Sequence, residues 1–258
     1  DYILGAGYPE IDFAGYYPDR YDNPNYVLPK YIVLWGKNPL MSNPDGFYGH
    51  SIIDMMKRGT KLICVDPRIH WLATRAEHVL QLRPGTDTAL ALGILNVLIN
   101  EELYDKEFVE NWCYGFEELK ERVQEYPPEK VAEITWVPKE KIIEVARILG
   151  TNHPAPIQWG LAVDENPNGV QLGHAILSIV AITGNLDVPG GITLGPPAAL
   201  LGKWRMETRS QMPEELWEKR IGAKEWPALS TAMATTHPDE TLDTLETGKP
   251  YKLRMGWF

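Results

Sequence analysis

The sequence has 258 residues, of which 44% are hydrophobic, and this is enough to bury the core of one large domain or of two modest ones. Its 25 basic and 35 acidic side chains give a net charge of −10, which argues against broad electrostatic attraction to nucleic acid or to an anionic membrane. The two cysteines, Cys64 and Cys113, are too few for a disulfide scaffold, an iron–sulfur cluster or a cysteine-based zinc site. No apolar run approaches the roughly 18 residues that a membrane helix needs.

The chain begins with an aromatic and proline-rich segment without periodicity, residues 1–29, which predicts an extended stretch. It has no initiator methionine, and its end from Tyr251 to Phe258 has the pattern of a strand with nothing after it. Periodicity decays from Pro196 onward, so residues 196–258 are predicted to be an irregular connection that ends in the first strand of a following domain. Both ends are typical of a piece of a longer protein.

Three short apolar runs, each followed by a polar turn, organise the next part of the chain. The runs are Tyr31–Trp35, Lys61–Val65 and Val79–Leu82, and the turns are Gly36–Pro39, Asp66–Arg68 and Arg83–Asp87. A helical pattern from Asp45 to Arg58, stopped by Gly59, separates the first two runs. This alternation predicts parallel strands of an α/β sheet, which bind ligands at the carboxyl ends of the strands. All three turns then face one ligand.

Further helices and one strand follow. A strongly apolar helix is predicted from Thr88, with Asp87 as its N-cap. Four acidic helices follow, then a fourth strand and an apolar helix: Lys106–Trp112, Glu117–Tyr126, Glu129–Ile134, Pro138–Leu149 (closed by Gly150), Ala155–Trp159 and Gly169–Thr183. Cys64 lies inside an apolar strand, which predicts a buried, inert thiol.

The residues of the three turns suit a guanine nucleotide. Gly36 allows close backbone approach, and the exposed amides of the turn that carries Asn38 can meet a phosphate. Asp66 is placed like the ribose-binding acid of doubly wound nucleotide domains, with Arg68 near it for a phosphate or a base. Asp87 can accept hydrogen bonds from N1 and N2 of guanine, a donor pair that adenine lacks. The alternatives are a plain turn at Asp66–Arg68 and a simple helix cap at Asp87.

In combination these motifs resemble the molybdopterin oxidoreductases of the dimethyl sulfoxide reductase family, over roughly residues 30–195. The motifs that carry the resemblance are Trp35–Pro39, Asp66–Arg68, Arg83–Asp87, Glu102–Asp105, Gly115–Leu119, Trp159–Gly160, Thr183–Leu186 and Pro189–Gly191. The resemblance implies a Rossmann-like parallel sheet flanked by helices, within a larger multidomain molybdoenzyme. In that family the matching domain, conventionally the third, holds one of two molybdopterin guanine dinucleotides around molybdenum or tungsten.

The resemblance also assigns cofactor-binding residues by position. Those implied at the pyrophosphate are Gly36 and Asn38; at the ribose and nucleotide, Asp66 and Arg68; at the guanosine end, Gly85, Thr86 and Asp87; nearer the pterin, Trp159, Gly160 and Leu161. The same motifs add Trp35, Pro39, Pro67 and Arg83 as cofactor-binding residues without a stated subsite, and Trp35 is either a core residue or part of the entrance to the metal site. No catalytic residue and no metal ligand is assigned. The cysteine-rich segment that holds an iron–sulfur cluster in relatives is absent here. Of the candidate ligands to the metal, Asp1 and Asp12 are in about the right position, but a ligand upstream of Asp1 is favoured.

Two functions follow from this resemblance. The chain is either part of a molybdenum or tungsten enzyme that transfers oxygen atoms, hydride equivalents or electrons, or a cofactor-binding domain without turnover of its own. A non-redox hydratase or hydroxyl transferase of the same family is a further alternative. The expected partners are the remaining domains of the parent enzyme, an electron-transfer subunit and a small-molecule substrate, with no nucleic acid and no membrane span. The compartment, cytoplasm or periplasm of a prokaryote, is left open.

Overall fold

A computed structural model describes residues 27–42, 47–186, 188–192, 213–227 and 236–256, with only the backbone described at residues 47 and 48. The chain divides into two compact units, residues 1–195 and 196–258. The predicted extended segment 1–29 lies almost entirely outside the described residues, as do the candidate metal ligands Asp1 and Asp12. The three-part division drawn from the sequence stays a prediction.

The first unit is built on a parallel sheet of four strands, which confirms the predicted fold class. The strands are β1 (Tyr31–Trp35), β2 (Lys61–Val65), β3 (His78–Leu80) and β4 (Ile157–Trp159), in the spatial order β3-β2-β1-β4. In the ladders, Leu34 lies opposite Cys64 on one side of β1 and opposite Gln158 on the other.

Two strands differ from their predicted bounds. Strand β3 begins at His78 and ends at Leu80, because its partner β2 ends at Val65 and offers nothing further to pair with. Strand β4 is shorter than the apolar run from Ala155, since the Ala155 N–H donates to the Asn185 side chain at 2.7 Å instead of to a strand.

Helices cover the sheet, mostly where the sequence predicts them. In the first unit they are α1 (Pro39–Ser42), α2 (Phe47–Arg58), α3 (Asp87–Asn100), α4 (Lys106–Trp112), α5 (Phe116–Val123), α6 (Pro128–Thr135), α7 (Lys139–Thr151), α8 (Leu161–Asp164) and α9 (Gly169–Ile182). The predicted stop of α7 at Gly150 is wrong, because the helix runs through it to Thr151. A Cβ at Gly150 would lie 2.6 Å from the Leu103 Cβ, so glycine is needed there for packing.

The sheet separates two apolar clusters, as expected when alternate side chains point to opposite faces. Ile32 and Leu34 of β1 pack with Ile52 and Met55 of α2 on one face. The opposite face of β1 packs against α3, α7 and α9. Cys64 lies in the smaller cluster, which confirms its predicted burial, and this burial raises the pKa of its thiol to about 12.

In the described part of the second unit, residues 213–227 and 236–256, there are two short helices, α10 (Glu214–Glu218) and α11 (Pro238–Thr247). The Trp226 ring stacks on His237 with the centroids 4.1 Å apart. Residues 251–256 form neither helix nor strand, so the predicted terminal strand is not formed over them. Among all helices of the described ranges, none is long and apolar enough to cross a membrane.

Candidate functional site

The order of the strands places a crevice between the carboxyl ends of β1 and β4. Strand β1 pairs with β2 on one side and with β4, which comes much later in the chain, on the other. At such a switch point the connections leave in opposite directions, and parallel α/β sheets bind ligands in the gap. The Gly36 N–H donates to the Val65 carbonyl at 2.8 Å, and the Gly160 N–H donates to the Trp35 carbonyl at 3.1 Å. The turns after β1, β2 and β4 therefore adjoin.

Two glycines let the turns after β1 and β4 cross at van der Waals distance. Gly36 has φ +56°, and a Cβ on it would lie 2.7 Å from the Ala162 Cβ. A Cβ on Gly160 would lie 2.7 Å from the carbonyl oxygen of Gly36. Both contacts are closer than a Cβ tolerates, so the crossing itself requires glycine at these positions.

The carboxylate of Asp87 joins three parts of the site. The indole N–H of Trp35 donates to its Oδ1 at 2.9 Å, and the Asn166 side chain donates to its Oδ2 at 3.2 Å. Asp87 is the first residue of α3 and not its N-cap, so that prediction is wrong; Thr86 is the cap residue and makes no capping bond with its side chain. The carboxylate faces inward and ties the end of β1 to the loop before α9.

Burial raises the pKa of Asp87, the Trp35 hydrogen bond opposes this, and the negative charge of Asp66 adds to it. In the unfolded chain an aspartate titrates near its ordinary value of about 4. Above that pH the folded state therefore binds more protons than the unfolded state, until the folded pKa is passed. This contribution to the free energy of unfolding falls as the pH rises through that window.

Asp87→Asn removes the titrating carboxyl but keeps an oxygen that can accept the Trp35 N–H. We expect the stability of this variant relative to the wild type to increase as the pH is raised from about 4 to 7. Urea unfolding at a series of pH values measures this difference. A difference that stays constant with pH, or that shrinks as the pH rises, would show that the Asp87 pKa is not raised in the folded chain.

Asp66, at the end of β2, is buried beneath its own turn. Its Oδ1 accepts the Arg68 N–H at 2.8 Å, while the Arg68 guanidinium extends into solvent with its Nε 3.9 Å away. The Nδ1 of His70 accepts the Ala73 N–H at 3.3 Å, so the neutral imidazole carries its proton on Nε2, 3.8 Å from Asp66 Oδ2. Burial lowers the pKa of His70, which favours the neutral ring.

The turn after β1 begins the short helix α1. The Asn38 carbonyl accepts the N–H groups of Met41 and Ser42, both at 3.0 Å. The side-chain Oδ1 of Asn38 is buried and has no hydrogen-bond partner within the described part of the chain. A buried acceptor without a donor is costly, and a polar group from outside can satisfy it.

All of the predicted site residues lie at the carboxyl edge of the sheet, at different depths. Those exposed to solvent are Pro67, Arg68, Arg83, Gly85 and Leu161; those partly buried are Gly36, Asn38, Thr86, Asp87 and Gly160; those buried are Trp35, Pro39, Asp66 and Trp159. The exposed residues have side chains or backbone open to solvent at this edge. The buried residues act from within, as the Trp35 indole does on Asp87.

Four residues of this region were not predicted from the sequence: Asn166, His70, Gln158 and Trp136. Asn166 lies in an Asn-Pro-Asn stretch, which predicts a turn. This pattern does not show that the Asn166 side chain donates to Asp87. Gln158 is the one amide side chain in the buried, otherwise apolar strand β4, and this feature could have been recognised from the sequence. Within the residues that the structure describes, no group of three or more histidine, cysteine, aspartate or glutamate side chains can hold a metal ion.

Parallel strands, a switch-point crevice and glycine turns define an α/β domain of the ligand-binding, doubly wound kind. Residues 28–207 match the molybdopterin oxidoreductase family, and the chain belongs to that family.

Several curated relatives extend this comparison. The chain is 44% identical over 206 residues to acetylene hydratase of Syntrophotalea acetylenica, covering 79% of this chain and 28% of that protein. Formate dehydrogenase H of Escherichia coli is 35% identical over 158 residues, covering 61% of this chain and 22% of the relative. The structure of acetylene hydratase from Pelobacter acetylenicus superposes with a TM-score of 0.73 at 35% identity, over 88% of this chain and 34% of the other. The chain thus spans about a quarter to a third of these proteins.

Proposed function

We propose that residues 30–195 form the domain that holds one molybdopterin guanine dinucleotide, by its pyrophosphate, ribose and guanine, in a larger molybdenum or tungsten enzyme. The observation that carries this proposal is the gathering of the turns at Gly36, Asp66, Gly85 and Gly160 around one switch-point crevice, beside the partly buried carboxylate of Asp87. Membership of the molybdopterin oxidoreductase family supports the pterin and the metal.

The residues present fit such a group on structural grounds. Gly85 has φ +82°, and a Cβ there would meet nothing within 4 Å, so the backbone of this turn is open to a ligand. The buried Asn38 Oδ1 lacks a donor among the described residues, and the Arg68 guanidinium projects into solvent above the buried Asp66. A phosphorylated nucleoside supplies hydroxyl donors and anionic oxygens for such groups.

Asp87 is assigned to the guanine base. Each carboxylate oxygen accepts more than one hydrogen bond, so the bonds from Trp35 and Asn166 leave capacity for the N1 and N2 protons of guanine. These two internal donors also hold the carboxylate in one orientation before a ligand arrives. Adenine has no equivalent pair of donors, so this contact favours guanine.

When bound, the pterin and its metal supply the redox or Lewis-acid chemistry, while this chain binds and orients the dinucleotide. In this proposal, an iron–sulfur cluster, the protein ligand to the metal and the channel that admits the substrate belong to other parts of the parent enzyme. Its proposed partners are the remaining domains, an electron-transfer subunit and a small-molecule substrate.

Titration of the chain with GDP and with ADP by calorimetry, in the wild type and in Asp87→Asn, tests the proposal. We expect GDP to bind the wild type more tightly than ADP. The variant should lose about tenfold to a hundredfold in affinity for GDP, because charge-assisted hydrogen bonds are lost, and should change little toward ADP. Equal binding of the two nucleotides by the wild type, or an unchanged preference in the variant, would contradict the guanine-reading role.

The similarity to acetylene hydratase favours a second candidate for the parent enzyme, a non-redox hydration on the same cofactor domain. Hydration adds water without net electron transfer. A hydratase therefore turns over without an external electron donor or acceptor, whereas an oxidoreductase stops when that partner is withheld.

A further inference from the structure

Trp136 has a backbone conformation that its side chain disfavours. It follows α6 with φ +65° and ψ +7°, in the left-handed region that glycine and asparagine adopt readily and a bulky residue rarely does. Trp136 is 68% exposed as a residue, so apolar burial does not explain the strain. Residues held in such conformations tend to mark functional sites, which makes Trp136 a candidate for a binding role.

The strained turn places Trp136 beside the proposed nucleotide site. The N–H of Arg83 donates to the carbonyl of Thr135 at 2.8 Å, which ties the start of the Arg83–Asp87 turn to the end of α6. The Arg83 guanidinium lies 5.4 Å from the centre of the Trp136 ring. Thus the indole lies at the outer rim of the turn that carries Gly85 and Asp87.

Arg83 adds a positive charge to this rim. Its side chain is exposed, and across the described ranges no carboxylate lies within ion-pair distance of it, in a chain with a net charge of −10. A guanidinium held over an indole forms a planar cationic and aromatic surface that suits a purine base carrying phosphates.

We propose that Trp136, supported by Arg83, is the stacking surface for the purine base of the bound nucleotide. The inference rests on the proposed nucleotide-binding function and deepens it: Asp87 selects the base by hydrogen bonds, while Trp136 contributes affinity by stacking. Every base offers a π face, so stacking tolerates any base. The two residues therefore have separable effects on binding.

The test compares Trp136→Gly and Trp136→Asn with Asp87→Asn in calorimetric titrations with GDP and ADP. Both Trp136 variants accept the left-handed backbone. We expect each to bind GDP and ADP about tenfold more weakly, by the same factor for both nucleotides. Asp87→Asn should instead change the ratio of the two affinities. A Trp112→Ala variant is the matched control, because Trp112 is 79% exposed and lies at the end of α4, which is not one of the elements that carry the site turns.

Thermal unfolding separates a binding role from a structural one. Because Trp136→Gly relieves backbone strain and removes little buried surface, we expect its melting temperature to be equal to that of the wild type or about 2 to 4 °C higher. Unchanged affinity in both Trp136 variants would overturn the stacking role, even where Asp87→Asn still removes the preference for guanine. Weaker binding of both nucleotides in the Trp136 variants supports stacking, even if the wild type shows no preference between the bases.

Discussion

Replacing Gly160 by alanine is expected to lower the free energy of unfolding of the first unit by about 3 kcal/mol. The new Cβ would lie 2.7 Å from the carbonyl oxygen of Gly36 and 3.3 Å from the Cα of Lys37. Both are backbone atoms, which cannot rotate away as a side chain does, so the turns after β1 and β4 must separate. The hydrogen bond from the Gly160 N–H to the Trp35 carbonyl would lengthen as they part.

The effect of Gly160→Ala is steric and not conformational, because Gly160 has φ −115°, which any residue adopts. Gly173→Ala in α9 is the matched control, since a Cβ there meets nothing within 4 Å. Alanine within a helix should stabilise the chain by about 0.5–1 kcal/mol. Urea unfolding of both variants measures the two changes. If Gly160→Ala is as stable as the wild type, the two turns do not cross as closely as described.

The parallel sheet was predictable because its signals are local. The run Tyr31–Trp35 is apolar throughout, and its five side chains are all buried, as expected for a strand covered on both faces. The four residues after Lys61 in β2 are likewise apolar and buried, and each run is followed by residues typical of turns. The gathering of those turns at one edge follows from the fold class, so the location of the candidate site was also predictable.

The roles of individual residues depend on contacts that sequence distance hides. Asp87 stands where an apolar sequence pattern begins, which is the usual signature of an N-cap, but it is the first residue of α3 and its carboxylate pairs with Trp35 and Asn166 from other elements. Gly150 resembles a helix stop, but the close approach of Leu103 is what requires it. In both cases a tertiary contact overrides a sound local rule.

Trp136 was missed for a related reason. A tryptophan between charged helices is expected either to be buried in the core or to be exposed without a function. Nothing in the sequence shows the backbone conformation of Trp136. Only the folded chain reveals that it follows a helix in the left-handed region and lies beside Arg83. Strain of this kind is invisible in composition and periodicity, although it is a useful indicator of function.

Gln158→Met is expected to stabilise the chain by about 2 kcal/mol, although it alters a fully buried residue next to the site. Neither the amide nitrogen nor the amide oxygen of Gln158 has a hydrogen-bond partner among the described residues. The side chain lies in β4 opposite Leu34, on a strand whose neighbours are apolar. Methionine has nearly the same length and volume, so the substitution removes two unsatisfied polar groups without opening a cavity.

Asn185→Leu is the matched control for Gln158→Met, because Asn185 is also buried but its amide is fully paired. Its Oδ1 accepts the Ala155 N–H at 2.7 Å, and its Nδ2 donates to the Thr183 hydroxyl at 2.8 Å. Removing this amide leaves the Ala155 N–H and the Thr183 hydroxyl without these hydrogen bonds and should destabilise the chain by about 3 kcal/mol. Thermal unfolding should therefore shift in opposite directions for the two variants, upward by about 4 to 8 °C for Gln158→Met. A loss of stability in Gln158→Met would contradict this prediction. It would mean that the Gln158 amide makes hydrogen bonds in the folded protein in solution.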